Sequence, residues 1–398
     1  MLRLSSSGNK TTLLSMGMVG LFGCTEDIPD LLLHSIPHIV LETYETLPGE
    51  FVSINAVREL SDGSVLVADR SGRALYWIDS GFQKVEQIGA TGDGPQEYRS
   101  VEAIFALSGD STAVRDGSGN RLMMMSERHI VGAATLGSNP LRITIGMDTT
   151  GGMLLASPLR GRSAGPGDAW TEWDSLMVVR ALRDGTETDT IARLHTRRAV
   201  SVQTDRALYT YVDPLSPPDA VLLLPDGWVA LVQPEPYRVS WVSATGQRVV
   251  GPSIAHDRYI ADDAAIALAL SPPGAPVGEG VPEHFYGHGY FEKPRNLPPF
   301  IATSVTIGHH GVLAPLPDGN VVVRRTRTEV TAQRYDVFDR TGVLAAIIML
   351  PPEHEIIGTG RSSLYVRSTD AWGVQQLHRA MWPDIGPRRQ AESEGLSQ

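Results

Sequence analysis

The stretch "ELSDGSVLVADRSGRALYWIDSGFQKVEQIG", residues 59–89, contains a complete pattern of turns and strands. Asp62-Gly63 predicts a tight hairpin turn, because glycine accepts the positive φ that such a strand reversal requires. The following "SVLVAD" is rich in branched residues, and "ALYWID" alternates with a period of two. Both features are typical of strands. The stretch therefore predicts an antiparallel meander.

The same pattern recurs along the chain. Strong copies occupy residues 223–250 and 315–347, where Asp226-Gly227 and Asp318-Gly319 take the place of Asp62-Gly63. Weaker copies follow at residues 105–126, 146–187 and 356–380. About six four-stranded units result, and no such sheet can bury its faces alone. Radial stacking solves that problem. The predicted fold is all-β, a six-bladed β-propeller with a short, partly helical insertion.

The first 24 residues differ from the rest. They carry Arg3, Lys10 and no acidic residue, followed by an apolar run of the length of a secretory signal. The run ends in Leu21-Phe22-Gly23-Cys24, which resembles the bacterial lipobox, and Cys24 is the chain's one cysteine. A short buried apolar helix is the alternative. The predicted organisation is a lipoprotein signal peptide at 1–24 ending at a lipidated Cys24, a tether at 25–37, the propeller at 38–382 and a flexible tail at 383–398.

A strand without a partner precedes the first full unit. It lies in "PHIVLETYETL", residues 37–47, whereas the last unit is one strand short. We expect the two to pair, because a propeller closes most stably when one blade combines strands from both ends of the chain.

Two further motifs carry a resemblance to a known family. These are the glycine-rich linker "GATGDGPQEY", residues 89–98, and the closing turn "FDRTG", residues 338–342. Over roughly residues 38–382 the chain resembles the six-bladed, NHL-like propeller lipoproteins of Gram-negative bacteria, departing from the family linker at Gln96 and Tyr98. The resemblance implies a cell-envelope lipoprotein, and Thr25 after Cys24 implies the outer membrane. It implies almost nothing about chemistry.

The glycine-rich linker invites a phosphate-binding hypothesis, which its spacing does not favour. The order is G-x-x-G-x-G-P, without a Lys-Ser/Thr ending, and Pro95 lacks an N–H where a donor is needed. The next residues predict a strand rather than a helix. The linker is therefore interpreted as a connection between blades.

Composition narrows the class of partner. The formal net charge is −11 and the sequence contains no basic block. Nucleic-acid binding is not expected, because phosphate neutralisation dominates that affinity. We predict no cofactor, a monomeric protein, and attachment to the membrane through the lipid alone.

Histidines and tyrosines cluster in two segments, "HFYGHGYFE" and "GHHG". Glycines argue against a helix that would align the first pair, and adjacent histidines on a strand face opposite ways. No metal site is therefore predicted, and no nucleophile motif is present. Asn55 is interpreted as a channel-lining polar group. The candidate ligand-binding residues are His284, Tyr286, His288, Tyr290, His309 and His310.

The sequence also predicts the positions of three other groups of residues. Trp77, Trp241, Tyr335 and Phe338 hold equivalent repeat positions and are expected in the core. The run of Arg324, Arg325 and Arg327 is expected to form a solvated turn rather than an anion site. Residues 257–299 break the repeat and are expected to cap one mouth of the channel and to contribute to the binding site, with a short helix that buries Ile260, Ile266, Leu268 and Leu270. A tether packed sideways between blades is the alternative.

Two functions remain open. The first is a lipid-anchored envelope propeller that acts as a binding or scaffold module for a protein, peptide or glycan. The second is a metal-dependent hydrolase or lyase of the lactonase-like type, with its site in the channel. In gluconolactonase-like and paraoxonase-like propellers a divalent ion is held by Glu, Asn and Asp, and no comparable set can be aligned in this sequence.

Overall fold

A computed structural model of the chain describes residues 36–41, 44–117, 121–135, 143–159, 170–182, 186–203, 208–271, 291–301 and 312–382. Within these ranges the strands form six main sheets, which are the six blades of a β-propeller. The strands are β1 His38–Val40, β2 Glu45–Thr46, β3 Ile54–Glu59, β4 Val65–Asp69, β5 Ala74–Ile78, β6 Val85–Ile88, β7 Ala90–Thr91, β8 Glu97–Tyr98, β9 Val101–Ala106, β10 Ser111–Asp116, β11 Arg121–Ser126, β12 His129–Thr135, β13 Ile143–Met147, β14 Met153–Leu159, β15 Trp170–Ala181, β16 Glu187–Gln203, β17 Leu208–Val212, β18 Ala220–Leu223, β19 Val229–Pro234, β20 Tyr237–Val242, β21 Arg248–Val250, β22 Leu313–Pro315, β23 Val321–Arg324, β24 Gln333–Phe338, β25 Leu344–Leu350, β26 His354–Thr359, β27 Ser363–Thr369 and β28 Gln375–Met381.

The blades follow the chain in order. Blades 1 to 4 are β3–β6, β9–β12, β13–β17 and β18–β21, blade 5 is β22–β25 with β1, and blade 6 is β26–β28 with β2. The first strand of each blade lies innermost. Blade 3 is the largest, because β15 and β16 are 12 and 17 residues long and pair with each other beyond the end of β14. The extended part of β16 also pairs with β17.

The Asp-Gly turns occur where the sequence predicts them. Gly63, Gly227 and Gly319 have φ values of 84°, 83° and 82°, a region that an L side chain rarely occupies. Each turn joins the innermost strand of a blade to the second strand. All these turns therefore lie at the same end of the propeller.

The hydrophobic core lies between adjacent blades. Trp241, Tyr335 and Phe338 are almost fully buried there, as predicted, whereas Trp77 is only partly buried under the guanidinium of Arg128. The second strands β4, β19 and β23 are buried on both faces for most of their length. Such strands read as continuous apolar runs because neighbouring blades cover both sides.

The predicted ring closure is confirmed. β2 pairs antiparallel with β28, so the fourth strand of blade 6 comes from the N-terminal part of the propeller. One addition was not predicted: β1 pairs in parallel with β25, the outer strand of blade 5. The N-terminal segment therefore binds the edges of two blades.

The linker after blade 1 is a blade connection, as interpreted. Glu97 accepts a hydrogen bond from the N–H of Gly94 at 2.8 Å, so the loop directs this donor at its own carboxylate. A Cβ at Gly92 would overlap the same carboxylate. Tyr98 is fully buried, and its hydroxyl donates to Ile88 O at 2.8 Å and accepts from Leu75 N at 2.9 Å. The Tyr98 hydroxyl thus fixes the linker to blade 1 with two hydrogen bonds.

The insertion contains the helix α1, Asp263–Leu270, capped by the Asp262 carboxylate. Ile266 and Leu268 are buried as predicted, and Ile266 lies in a cluster with Leu215. Leu270 is partly buried against the same cluster. Ile260 is 72% exposed, and its predicted burial is wrong because the helix begins three residues later. No helix in the described part of the chain has the length and apolar composition needed to cross a membrane.

Candidate functional site

The central channel contains a cavity of about 780 Å³, which is within the usual size range of ligand sites. Residues from all six innermost strands line it. The middle of its wall is mainly apolar, and Asn55 lies on the wall as the sequence interpretation had it. The apolar wall residues include Ala56, Val57, Ile104, Ala106, Leu222, Leu313, Pro315 and Ile357.

Charged side chains line the end of the cavity where the Asp-Gly turns lie. Arg340 donates to Asp226 at 2.8 Å and lies over the ring of Trp241, 4.6 Å from its centroid. Asp110 and Arg361 line the same end from blades 2 and 6. Ser61, Asp226 and Arg361 are exposed, so the cavity opens to solvent at this end. A ligand would enter past charges of both signs and reach an apolar interior.

Two adjacent residues on β3, Arg58 and Glu59, connect blade 1 to blades 2 and 6. Their side chains point to opposite faces because a strand has a period of two. The Arg58 guanidinium donates to Thr112 Oγ1, Gly109 O and Ser111 O in blade 2. Burial lowers the pKa of Arg58 to about 10, although the nearby Asp110 carboxylate opposes that shift.

Glu59 makes the corresponding connection to blade 6. It accepts from Tyr365 OH at 2.7 Å and from Ser363 Oγ at 2.9 Å. Burial raises the pKa of Tyr365, and the Glu59 carboxylate raises it further. Tyr365 therefore stays a neutral donor, and the two contacts hold blade 1 to blade 6.

A belt of arginines and carboxylates crosses from blade 5 to blade 3 near the start of the innermost strands. Arg324 pairs with Glu355, and Arg367 donates to Glu355 at 2.5 Å and also to Ile54 O in blade 1. Asn55 then donates to Glu102 O in blade 2 at 2.7 Å. Arg115 lies 3.7 Å from the Glu102 carboxylate and donates to Thr144 O in blade 3 at 3.1 Å. The belt fixes five blades to one another.

Sequence reasoning missed this belt, although a signal for it exists. Arg115, Arg324 and Arg367 each follow a valine at the equivalent point of the second strand. Asn55, Glu102 and Glu355 each hold the second position of an innermost strand. Polar residues that recur at one repeat position of an apolar strand indicate contacts between blades.

The predicted solvated turn of arginines is wrong. The side chains of Arg324 and Arg325 are 16% and 10% exposed, and Arg327 is 9% exposed. Arg325 donates to the buried Asp336 at 2.7 Å. Burial alone would lower the pKa of Arg325, but the Asp336 carboxylate outweighs it and raises that pKa. The insertion packs over Arg325, which donates to Pro299 O at 2.8 Å. Arg324 is buried instead in the belt, where it pairs with Glu355.

A second polar cluster lies where β2 closes blade 6. The Tyr44 ring stacks on His354 at 5.1 Å between centroids, and the His354 and His378 rings are 5.4 Å apart. His378 is within hydrogen-bond distance of Thr46 Oγ1, at 3.0 Å, and of Ser368 Oγ, at 2.7 Å. Burial lowers the pKa of both histidines, and His354 lowers that of His378 further. This cluster holds the closing strand.

The predicted ligand-binding residues lie outside the described residues: His284, Tyr286, His288, Tyr290, His309 and His310. The described parts of the insertion, residues 257–271 and 291–299, line none of the channel cavity. They contact Arg198 of blade 3 through Phe291, and Arg325 of blade 5 through Pro299. In the described ranges no three His, Cys, Asp or Glu side chains are placed to hold a metal ion.

No protein-family model matches the chain, and no curated protein matches it either. Among solved structures, a protein from Bacteroides fragilis provisionally described as exported is 11% identical, with 87% of this chain and 99% of that chain covered and a TM-score of 0.46. A member of the DUF4221 family from Bacteroides vulgatus is 7% identical, with 86% and 96% covered and a TM-score of 0.47.

A third solved structure is a catalytically inactive virginiamycin B lyase from Staphylococcus aureus with quinupristin. It is 9% identical, with 85% of this chain and 98% of that chain covered, and the TM-score is 0.42. At such identities and TM-scores none of these likenesses carries an argument about function. The assignment of a six-bladed propeller rests on the sheet topology described above.

Proposed function

We propose that this protein is a non-enzymatic binding module of the cell envelope that receives an apolar segment of a peptide or protein partner in its channel. The observation that supports the proposal is the cavity of about 780 Å³, with an apolar middle and charges of both signs at its open end. Apolar area provides affinity in such sites, and a few polar groups fix the orientation of the ligand. A glycan would require more polar groups along the wall.

Three charged residues of the wall already have structural partners. Arg58 binds blade 2, Glu59 binds blade 6, and Arg367 is held by Glu355 and Ile54 O. A general acid or base must reach a reacting group instead. These side chains are therefore better suited to holding the channel open than to proton transfer.

A metal-dependent lactonase-like hydrolase or lyase remains the alternative. That function would require a divalent ion bound in the channel. Metal analysis of the purified protein separates the two functions: a near-stoichiometric divalent ion, lost together with a hydrolytic or lyase activity on treatment with a chelator, would favour the alternative.

Filling the channel is expected to abolish binding of an apolar probe. Ala106 lines the cavity and is half-buried, so Ala106→Trp would place an indole in the space that a ligand needs. Titration with anilinonaphthalenesulfonate should give saturable fluorescence with the native protein. We expect at least about a tenfold weaker affinity in the variant, equivalent to about 1.4 kcal/mol.

Ala133→Trp is the matched control, because Ala133 is exposed on the outer strand β12. It should bind the probe like the native protein. Equal binding by Ala106→Trp and the native protein, with both folded by circular dichroism, would show that the probe does not use the channel.

We also propose that Cys24 anchors the protein in the outer membrane. The lipobox-like Leu21-Phe22-Gly23-Cys24 and the absence of any other cysteine in the sequence support this. A diacylglycerol thioether with an amide-linked acyl chain would supply the chains that stable attachment requires. In a Gram-negative host, Cys24→Ala should lose labelling by radioactive palmitate and should keep its signal peptide, because the lipoprotein signal peptidase requires the lipidated cysteine.

Thr25→Ala retains the cysteine and should label like the native protein. Palmitate incorporation into Cys24→Ala, or recovery of the native protein as a soluble periplasmic protein, would rule the anchor out.

A further inference from the structure

The buried arginine run borders a second, small cavity of about 60 Å³. We call it the arginine pocket. It is lined by Arg325, Arg327 and Arg334, by Thr326 and Thr328, and by residues of the insertion from Leu297 to Pro299. It shares no lining residue with the central channel.

The charges around the arginine pocket do not balance in its interior. Asp336 is fully buried and receives both Arg325 and Arg334, each at 2.7 Å. Arg327 donates only to backbone oxygens, at 3.3 Å to Glu329 O and 3.1 Å to Val330 O. Its Nη1 is buried and has no hydrogen-bond partner among the described residues. Asp336 thus pairs with the buried Arg325 and the partly exposed Arg334, whereas the guanidinium of Arg327 has no carboxylate bound to it among the described residues.

Such an unpaired buried charge is costly unless a counter-charge is present. Burial lowers the pKa of Arg327, and the distant Glu353 only partly opposes that shift. Two further carboxylates, Asp257 and Glu329, line the pocket but are exposed to solvent. Asp257 is the weakest of the charges that raise the pKa of Arg325. Water screens both exposed carboxylates, so neither gives Arg327 a buried counter-charge.

We propose that the arginine pocket is a binding site for a single carboxylate group. A guanidinium presents two parallel N–H donors that match the two oxygens of a carboxylate. A volume of about 60 Å³ is about that of two water molecules, which suits a carboxylate and excludes a nucleotide or a sugar phosphate. The exposed Asp257 and Glu329 at the rim would repel ligands that carry several negative charges.

The carboxylate could belong to a free small acid or to the C-terminus of a peptide. Both sources present the same carboxylate group. Thr326 and Thr328 add hydroxyl groups to the wall of the pocket. Acetate and the peptide N-acetyl-glycyl-glycine therefore serve as probes, each with its uncharged amide as the matched probe.

The test is a thermal-denaturation series in which acetate replaces chloride at constant ionic strength. We expect a saturable rise of about 2 °C with acetate, because a ligand that binds only the folded state stabilises it. Acetamide should produce no rise. A rise with N-acetyl-glycyl-glycine at a lower concentration than with acetate would identify a peptide terminus as the source, and the reverse order would identify a free acid.

Arg327→Met removes the unpartnered charge and should abolish the response to acetate. Arg128→Met is the control, because Arg128 is exposed between blades 1 and 2, far from the pocket, and this variant should respond like the native protein. An equal rise with acetate and acetamide, or an undiminished rise in Arg327→Met, would overturn the proposal. If Arg327→Met does not fold, the concentration dependence on the native protein decides: a rise that saturates supports a site, and a rise that continues in proportion to acetate is a general salt effect and overturns the proposal.

Discussion

Deletion of residues 36–46 is expected to lower the melting temperature by about 10 °C or more. The segment supplies β1 and β2, and it buries Ile36 and Leu41, which are 5% and 7% exposed. Loss of two buried aliphatic side chains costs about 2 kcal/mol each, and the Tyr44 and Thr46 contacts to the histidine pair are lost in addition. Blade 6 would then present an open edge.

Thermal melting followed by circular dichroism measures this effect. Deletion of the predicted tail, residues 383–398, is the control and should leave the melt unchanged. A melt unaltered by removal of residues 36–46 would show that β1 and β2 do not close the ring.

Asp336→Asn is expected to destabilise the protein by about 3 to 5 kcal/mol. The carboxylate is fully buried and accepts from Arg325, Arg334 and Tyr237 OH, the last at 2.9 Å. The amide would leave the buried Arg325 without its counter-charge and would also remove the partner of Arg334, whose side chain is 34% exposed. Chemical denaturation monitored by tryptophan fluorescence measures the change in the free energy of unfolding.

The effect should depend on pH in a defined direction. Burial alone would raise the pKa of Asp336, but Arg325 and Arg334 together hold it below its usual value. A carboxylate with a lowered pKa contributes stability above its unfolded pKa of about 3.9 and loses that contribution as the pH falls through the folded pKa. The full difference between native and variant protein is therefore expected at pH 7.

Asp226→Asn is the matched control for this substitution. Asp226 pairs with Arg340, but its side chain is 54% exposed. Surface ion pairs contribute less than about 1 kcal/mol, because water screens both charges. Equal destabilisation by the two substitutions would contradict a buried charge network at Asp336.

Much of the fold could be predicted from the sequence, because turns leave a local signature. Asp62-Gly63, Asp226-Gly227 and Asp318-Gly319 each mark the first hairpin of a blade. Six copies of the wider repeat predict the six blades. The pairing of β2 with β28 followed from counting strands. The parallel pairing of β1 with β25 could not be predicted in this way. β1 has three residues and none of them is buried, so it has too little hydrophobic pattern to be recognised.

The site was less predictable for a physical reason. Burial of Arg325 and Arg327 depends on the insertion that packs over them, and a local charge run does not indicate what covers it. The contacts of Arg367 and Glu59 join residues about 300 positions apart in the chain. Such contacts depend on how blades 1 and 6 meet, which only the closed ring determines. The predicted histidines and tyrosines stay a prediction, since they lie outside the described residues.

The attachment of β1 to β25 has a mechanical consequence. Force applied to the chain ahead of Ile36 would reach the propeller first at the outer strand of blade 5, and then at blade 6 through β2. Those strands lie at the perimeter, three strands away from the channel wall. A pull from a tether would therefore shear three residue pairs, from His38 with Ile347 to Val40 with Met349, before any load reached the innermost strands. The outer strands of blades 5 and 6 would therefore separate before the cavity changed shape.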